Sequence, residues 1–174
     1  DIFIHIEYPL SIDPLLLPSV MSKKMAVRAK YVVIDIPTGR GTKIKTMGEA
    51  NELAQKFLEL GKKLGITVSC CSTFGEQPIG HGIGPALEAR EALQTALTGK
   101  GPFDVVDKLV NIAGTLLAFK GVKNSAAKAL EILRSGRTAK KMKEIIAAQG
   151  GNPKVKPEDI PVGPEYANFT SNAE

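Results

Sequence analysis

The sequence has no tryptophan, and aromatic residues make up only 5% of its 174 residues. Proteins that hold single-stranded nucleic acid usually stack the bases on aromatic side chains, so this composition counts against nucleic acid as the partner. Histidine occurs only twice, and no group of side chains has the spacing of metal ligands, so no metal is expected. No apolar run approaches the roughly 20 residues of a membrane span, so no membrane association is expected either.

Cysteine is also scarce, because the chain has only Cys70 and Cys71. These two neighbours lie in an apolar segment that is typical of a buried strand. Adjacent side chains on a strand point to opposite faces, which makes a disulfide between them unfavourable. The simplest interpretation is a pair of small core residues in a protein of the reducing cytoplasm.

Positive charge is in excess, with 23 lysine and arginine residues against 18 aspartate and glutamate residues, a net charge of +5. A pI of about 9.2 fits an anionic substrate or a nucleic-acid surface and does not choose between them. A solvated, lysine-rich surface is the ordinary explanation. Charge alone therefore leaves a non-catalytic nucleotide-binding or nucleic-acid-binding domain as an alternative to an enzyme.

The apolar pattern predicts an α/β fold, with a largely parallel sheet flanked by helices. Ile2–Ile6 reads as a short buried strand, and Tyr31–Asp35 and Ile66–Ser72 read as continuous, β-branched parallel strands. Between the last two, Thr46 and Glu49 fit a capping box and Gly65 fits a helix C-cap, so a helix connects the strands. A strand–helix–strand unit of this kind crosses over right-handedly into a parallel sheet.

The C-terminal half is predicted to be helical. Helices are expected over Pro85–Leu97, over the strongly apolar Phe103–Phe119, from Asn124 to near Gly136 and over Thr138–Gln149. The Phe103–Phe119 helix is expected to be buried on most sides. We divide the chain into an α/β catalytic-domain fragment at 1–150 and a proline- and glycine-rich tail or linker at 151–174, leading to an absent C-terminal domain.

Two segments carry the candidate chemistry. Ser19 and Lys23 are spaced i, i+4, so on a helix they share one face that offers a hydroxyl and a cation. Residues 36–46 form a glycine- and basic-rich loop that carries Arg40 and Lys43 after a strand, where ligands bind in open α/β sheets. Together the segments predict a pocket for an anionic or polar small molecule. An exposed helix face and a solvated basic turn are the corresponding structural explanations.

Two further features have equally plain structural explanations. Asp13 precedes Pro14 at a predicted helix start, where an aspartate is usually an N-cap and is kept ionised. The run Gly80–Gly84 lacks the spacing of a dinucleotide fingerprint. It precedes the helix that begins at Pro85, and for that reason it could border an anion site.

Three segments in order resemble one family. Ser19–Lys24, Ile34–Gly41 and Gly82–Ala92 are similar to the thymidine/pyrimidine nucleoside phosphorylases. The form of the Gly39–Lys43 loop and the segment Ile6–Pro14 resemble the archaeal AMP-cleaving branch of that family. The resemblance covers roughly residues 1–165. It implies cleavage of an N-glycosidic bond by inorganic phosphate, and for this branch the conversion of AMP to adenine and ribose 1,5-bisphosphate.

The resemblance also implies site residues. Asp13 matches the proton donor, although the segment between it and Ser19 is shorter than expected. Ser19 and Lys43 match nucleotide-binding positions, and Lys23 matches the lysine that contacts the base in the pyrimidine branch. The arginine of that branch is missing near Ile6, which favours AMP over a pyrimidine nucleoside. No cofactor is expected beyond the substrates.

The expected partners are AMP or a related nucleotide or nucleoside, and inorganic phosphate. We expect the family's main phosphate-binding segment before Asp1 and a further domain after the tail. The chain then corresponds to the central part of a longer pentosyltransferase and is expected to be inactive by itself. A homo-oligomer is an expectation taken from the family. A thymidine/pyrimidine nucleoside phosphorylase is the alternative within the same class.

Overall fold

A computed structural model describes residues 13–165 and 167–171, with side chains from Leu16 onward. The expected strand at Ile2–Ile6 lies outside the described residues. The chain forms two compact units. Among the described residues, the first unit comprises those up to Pro78 together with Lys108–Ala129, and the second comprises Ile79–Asp107 and those from Leu130 onward.

The elements follow the predicted order of strands and helices. They are α1 (Asp13–Ala26), β1 (Tyr31–Thr38), α2 (Met47–Leu64), β2 (Thr67–Phe74), α3 (Pro85–Thr98), α4 (Phe103–Ala118), α5 (Ser125–Arg134), α6 (Arg137–Ala148) and a short 3-10 turn at Pro157–Asp159. Across the described residues, none of the helices has the length and apolar character that a membrane crossing requires.

The sheet of the first unit confirms the α/β prediction. Over the described part of the chain it has two strands, β1 and β2, which pair in parallel from Tyr31 opposite Thr67 to Thr38 opposite Phe74. Helix α2 connects them, and every element after β2 is helical. The carboxyl ends of both strands therefore reach the same edge of the sheet, where the two glycine-rich loops emerge.

Helix α2 has the ends that its sequence predicts. The Thr46 hydroxyl accepts the Glu49 amide, and the Glu49 carboxylate accepts the amides of Thr46 and Lys45. Gly65 ends the helix with φ 68°, a left-handed conformation that costs glycine little. The capping box fixes the start of α2 directly after the basic loop, so the loop and the helix are held together.

The core of the first unit lies between one face of β1 and helices α1 and α2. Val32, Ile34 and Ile36 alternate along β1 and are buried, as the period of a strand requires. Met21 of α1 and Phe57 of α2 are 1% and 2% exposed and belong to the same cluster. Burial of these side chains fixes how α1 and α2 lie against β1.

Helix α4, which contacts the opposite face of the sheet, is less buried than its sequence predicts. Only Gly114 of this helix is buried, so the helix is not covered on most sides. Polar side chains connect it to the sheet: Lys108 pairs with Asp35, and the Thr115 hydroxyl lies 3.8 Å from the Cys71 sulfur. Apolar residues such as Leu116, 46% exposed, point elsewhere.

The second unit has its own small core. Leu93 and Ala96 of α3, Leu133 of α5 and Ala139 of α6 are buried. The guanidinium of Arg90 donates through two nitrogens to the carbonyl of Ile160, which attaches the segment after the last helix to α3. The boundary at residue 150 between domain and linker stays a prediction.

Gly61 allows α2 to approach β2 closely, which gives a testable prediction. A methyl group added there would lie 2.5 Å from Val68 Cγ2 and 2.9 Å from the Ile66 carbonyl oxygen. Gly61→Ala should therefore lower the free energy of unfolding by about 1–3 kcal/mol through overpacking. Denaturant unfolding measures the change.

Gly48 supplies the matched control in the same helix. A methyl group there meets only the Thr46 hydroxyl, at 3.8 Å. Gly48→Ala should therefore raise stability by about 0.5–1 kcal/mol, because alanine loses less backbone entropy in a helix. Equal effects at both positions would show that helix propensity, and not the contact with β2, governs Gly61.

Candidate functional site

The loop that follows β1, residues 39–46, is closed by its own hydrogen bonds. The amide of Gly39 donates to the Ile44 carbonyl at 2.9 Å, and the Thr42 hydroxyl lies 2.7 Å from the same oxygen. The Lys45 ammonium donates to the carbonyls of Arg40, at 2.8 Å, and of Thr42. The side chain of Lys45 therefore bridges two carbonyl groups of the loop.

The first loop is also held in place by backbone contacts with the beginning of the second glycine-rich loop. Gly41 donates its amide to the Gly75 carbonyl at 3.2 Å, and Gly75 donates to the Thr38 carbonyl at 2.8 Å. A Cβ atom on Gly75 would lie 2.4 Å from Thr42 Cγ2 and 2.9 Å from the Thr38 nitrogen. Only glycine allows the two backbones to approach this closely.

Glu76 binds Arg40, another cationic residue of this loop. One carboxylate oxygen of Glu76 accepts both the Nε of Arg40, at 2.8 Å, and the Arg40 amide, at 3.2 Å. With Arg40 paired and Lys45 turned into the loop, Lys43 is the cation of this loop for which the described residues contain no acceptor. Its side chain is exposed.

A pocket of about 450 Å³ lies between α1, β1, the loop and α2 in the first unit. Its lining includes Leu16, Val20 and Lys24 from α1, Val33–Pro37 from β1, Thr42–Ile44 from the loop, and Leu53 and Phe57 from α2. Most of this surface is apolar, and its lining includes two lysines, Lys24 and Lys43. An apolar pocket with a few polar groups is the usual form of a small-molecule site.

The one carboxylate among these lining residues is already neutralised. Asp35 Oδ2 lies 2.7 Å from the Lys108 ammonium, and the Thr73 hydroxyl donates to Asp35 Oδ1 at 2.6 Å. Both members of the ion pair are largely covered, at 21% and 27% exposure. The uncompensated charge of the pocket is therefore positive, which suits an anionic ligand.

Comparison with characterised proteins gives a consistent result. The AMP phosphorylase of Thermofilum pendens is 53% identical over 163 residues, which are 94% of this chain and 32% of the relative. The AMP phosphorylase of Pyrococcus horikoshii is 56% identical over 168 residues, 94% of this chain and 33% of the relative. AMP phosphorylase 1 of Archaeoglobus fulgidus is 49% identical over 177 aligned residues, covering 100% of this chain and 35% of the relative.

The chain is a homologue of the archaeal AMP phosphorylases. This confirms the family resemblance drawn from the three sequence segments. The chain spans about a third of the length of these relatives. No protein-family profile matches it.

The four site residues that the family resemblance implies do not all lie at this pocket. Lys43 lines the pocket. Ser19 and Lys23 lie on α1 on a stripe next to the one that faces the pocket; Ser19 is half-buried, Lys23 is exposed, and each takes part in an interaction of its own. Asp13 is the first residue of α1, and its side chain lies outside the described residues. The functional roles of all four residues stay predictions.

Sequence reasoning missed Lys24, although a signal for it was present. Leu16, Val20 and Lys24 are spaced i, i+4, i+8, which places them along one side of a helix. Two of the three are apolar, which predicts that this side faces the interior, and the lysine that continues the spacing lies on the same side.

The backbone amides of the second glycine-rich loop are already bound by carboxylates of the same chain. Gly80 donates to Asp104 at 2.9 Å, and His81 and Gly82 both donate to Glu91, at 2.8 and 3.2 Å. The Gly80 amide is the main cause that lowers the pKa of the Asp104 carboxyl. These carboxylates occupy the amides that an external anion would need, so the expectation of an anion site at Gly80–Gly84 is wrong.

Titratable groups elsewhere give no further candidate. Across the part of the chain that the structure describes, no three His, Cys, Asp or Glu side chains are grouped as metal ligands. Cys70 and Cys71 are free, and burial raises the pKa of the Cys70 thiol, which makes it a poor nucleophile. The pocket that holds Lys24 and Lys43 therefore remains the candidate site.

Proposed function

We propose that this chain is the central part of an enzyme that cleaves the N-glycosidic bond of AMP with inorganic phosphate, releasing adenine and ribose 1,5-bisphosphate. The observation that carries the proposal is the identity of about half of its residues to AMP phosphorylases over nearly the whole chain. The positive, largely apolar pocket supports it, because a nucleoside monophosphate has an apolar base at one end and a dianion at the other.

The reaction requires a proton for the leaving base and cations that bind the phosphate, and this chain has candidate residues for both. Negative charge develops on the leaving base, and a general acid that protonates it is typically worth about 10²- to 10⁴-fold in rate. We assign this role to Asp13. An aspartate that only caps a helix would be ionised and unable to donate, so the role requires a protonated carboxyl when the substrate is bound.

Fixed cations supply the second contribution by binding the phosphate and orienting the nucleotide. We assign the 5′-phosphate to Lys43, which the loop places beside the pocket while Arg40 and Lys45 are bound elsewhere. Ser19 and Lys23 are proposed to contact the ribose and base. A monophosphate has a charge beyond the ribose that a nucleoside lacks, so the Lys43 position favours AMP over thymidine.

Phosphate dependence tests the proposed reaction in the protein that carries this chain. AMP should be consumed only when inorganic phosphate is present, and adenine and ribose 1,5-bisphosphate should form in equal amounts. Chromatography of the base together with phosphorus NMR of the sugar product measures both.

The controls for this test distinguish three alternatives. Adenine release that is indifferent to phosphate would indicate a hydrolase and would contradict the proposal. Faster turnover of thymidine than of AMP would indicate a pyrimidine nucleoside phosphorylase. Binding of oligonucleotides that grows with their length and falls steeply with salt, without turnover, would indicate a nucleic-acid-binding domain.

A further inference from the structure

Lys24 is a cation that faces the same pocket as Lys43 but comes from a different element. It continues the stripe of Leu16 and Val20 on α1, and its side chain is half-buried. Lys43 approaches from the loop after β1 and is exposed. The lining of the pocket therefore includes one lysine from a helix and one from a loop, both in the first unit.

The positive charges of Lys24 and Lys43 are not neutralised by the acidic side chain that lines the same pocket. Among the described residues, no hydrogen bond or ion pair of either ammonium group is recorded, and the Asp35 carboxylate is held by Lys108. A second, smaller cavity of about 240 Å³ also borders Lys43, and its lining contains two lysines and two glutamates. The charged side chains in the lining of the larger pocket are Lys24, Lys43 and Asp35, and Asp35 is paired with Lys108.

We infer that Lys24 is a second phosphate-binding residue, which holds the phosphate of a nucleoside monophosphate together with Lys43. The inference rests on the proposed function and deepens it. A phosphomonoester is close to a dianion at neutral pH, so two ammonium groups match its charge. Hydrogen bonds between ionised partners are strong, and they strengthen further where protein covers them, as it partly covers Lys24.

The arrangement also defines which ligands the pocket selects. Two lysines without an acidic partner keep a net positive charge in the pocket when a neutral nucleoside occupies it. A monophosphate neutralises that charge and gains contacts with both lysines. Discrimination between AMP and adenosine should therefore depend on both lysines, and not on Lys43 alone.

Equilibrium binding to the 174-residue chain tests the inference, with AMP and adenosine as the probes. Lys24→Gln should weaken AMP binding about tenfold, the loss expected for one charge-assisted hydrogen bond, and change adenosine binding less than about twofold. Lys24→Arg should retain AMP binding within about threefold because the charge is kept. Isothermal titration calorimetry measures the affinities, and circular dichroism verifies that each variant is folded.

Lys63→Gln is the matched control, because Lys63 is an exposed lysine in the last turn of α2 and lines neither cavity. Its AMP affinity should equal that of the unchanged chain. If Lys24→Gln behaves like this control, the role of Lys24 is wrong while AMP remains the ligand. Equal losses for AMP and adenosine would assign Lys24 to packing and would also contradict the inference.

Two outcomes in the unchanged chain separate the inference from the proposed function. If the chain binds AMP no more tightly than adenosine, the pocket does not recognise phosphate and the inference fails, whatever the parent protein does in the phosphate-dependence assay. If the chain binds neither, the described residues do not form a ligand site and the inference fails again. Failure of the proposed function appears separately, as AMP consumption that does not need phosphate.

Discussion

Phe57→Ala is expected to lower the free energy of unfolding by about 3–5 kcal/mol. The ring is 2% exposed and is the largest of the fully buried side chains among the described residues. It belongs to the cluster that joins α2 to β1 and α1, where it packs with Ile34 and Met21. Removing it leaves a cavity that fixed neighbours on a strand and two helices cannot fill, so the loss exceeds the transfer free energy alone.

Chemical denaturation followed by circular dichroism measures this loss, and Phe103→Ala is the control. Phe103 is 86% exposed at the start of α4, so its removal should change stability by no more than about 0.5 kcal/mol. The pocket wall includes Phe57, so a folded Phe57→Ala chain should also bind AMP more weakly. A loss below about 1 kcal/mol at Phe57 would mean that the first unit is not packed around this ring.

Lys43→Ala should reduce kcat/KM for AMP by about 10- to 100-fold in the protein that carries this chain, and change kcat/KM for adenosine or thymidine by less than about threefold. The range corresponds to a hydrogen bond with a charged partner, worth about 1.5–3 kcal/mol. The loop should keep its shape, because its own hydrogen bonds are made by Thr42, Lys45 and backbone groups. Steady-state kinetics with both kinds of substrate measures the effect.

The comparison between substrates makes this prediction specific. A general disturbance of the loop would lower the turnover of nucleotides and nucleosides alike, and an equal loss would remove Lys43 from the 5′-phosphate. Lys63→Ala, an exposed lysine away from the pocket, should leave both values unchanged. Added inorganic phosphate should not rescue the variant if the main phosphate site lies elsewhere, as the family resemblance implies.

Local sequence signals were sufficient for much of the fold. The capping box of Thr46 and Glu49 and the left-handed Gly65 involve residues only a few positions apart, so the sequence predicts both ends of α2. The continuous apolar runs predict β1 and β2 and their parallel pairing. The end of β1 was predicted too early, because Pro37 usually interrupts a strand, yet here the pairing continues to Thr38 opposite Phe74.

Features that depend on distant residues could not be predicted. Arg40, Lys43 and Lys45 are equivalent in the sequence, and only the position of Glu76 and the fold of the loop decide which of them faces the pocket. The apolar content of α4 predicts burial but not the polar contacts of Lys108 and Thr115 that face the sheet. Predicting which of the neighbouring stripes of α1 faces the pocket likewise requires knowing which elements pack against this helix.

The ammonium group of Lys45 inside the loop has a consequence for engineering. It donates to the carbonyl oxygens of Arg40 and Thr42. A longer or shorter loop would therefore lose the carbonyl positions that this side chain bridges. The contact with Gly75 extends the same restriction to the other loop. Transferring this loop to another protein would therefore require moving both loops together, with Gly75 and Lys45 kept as a pair.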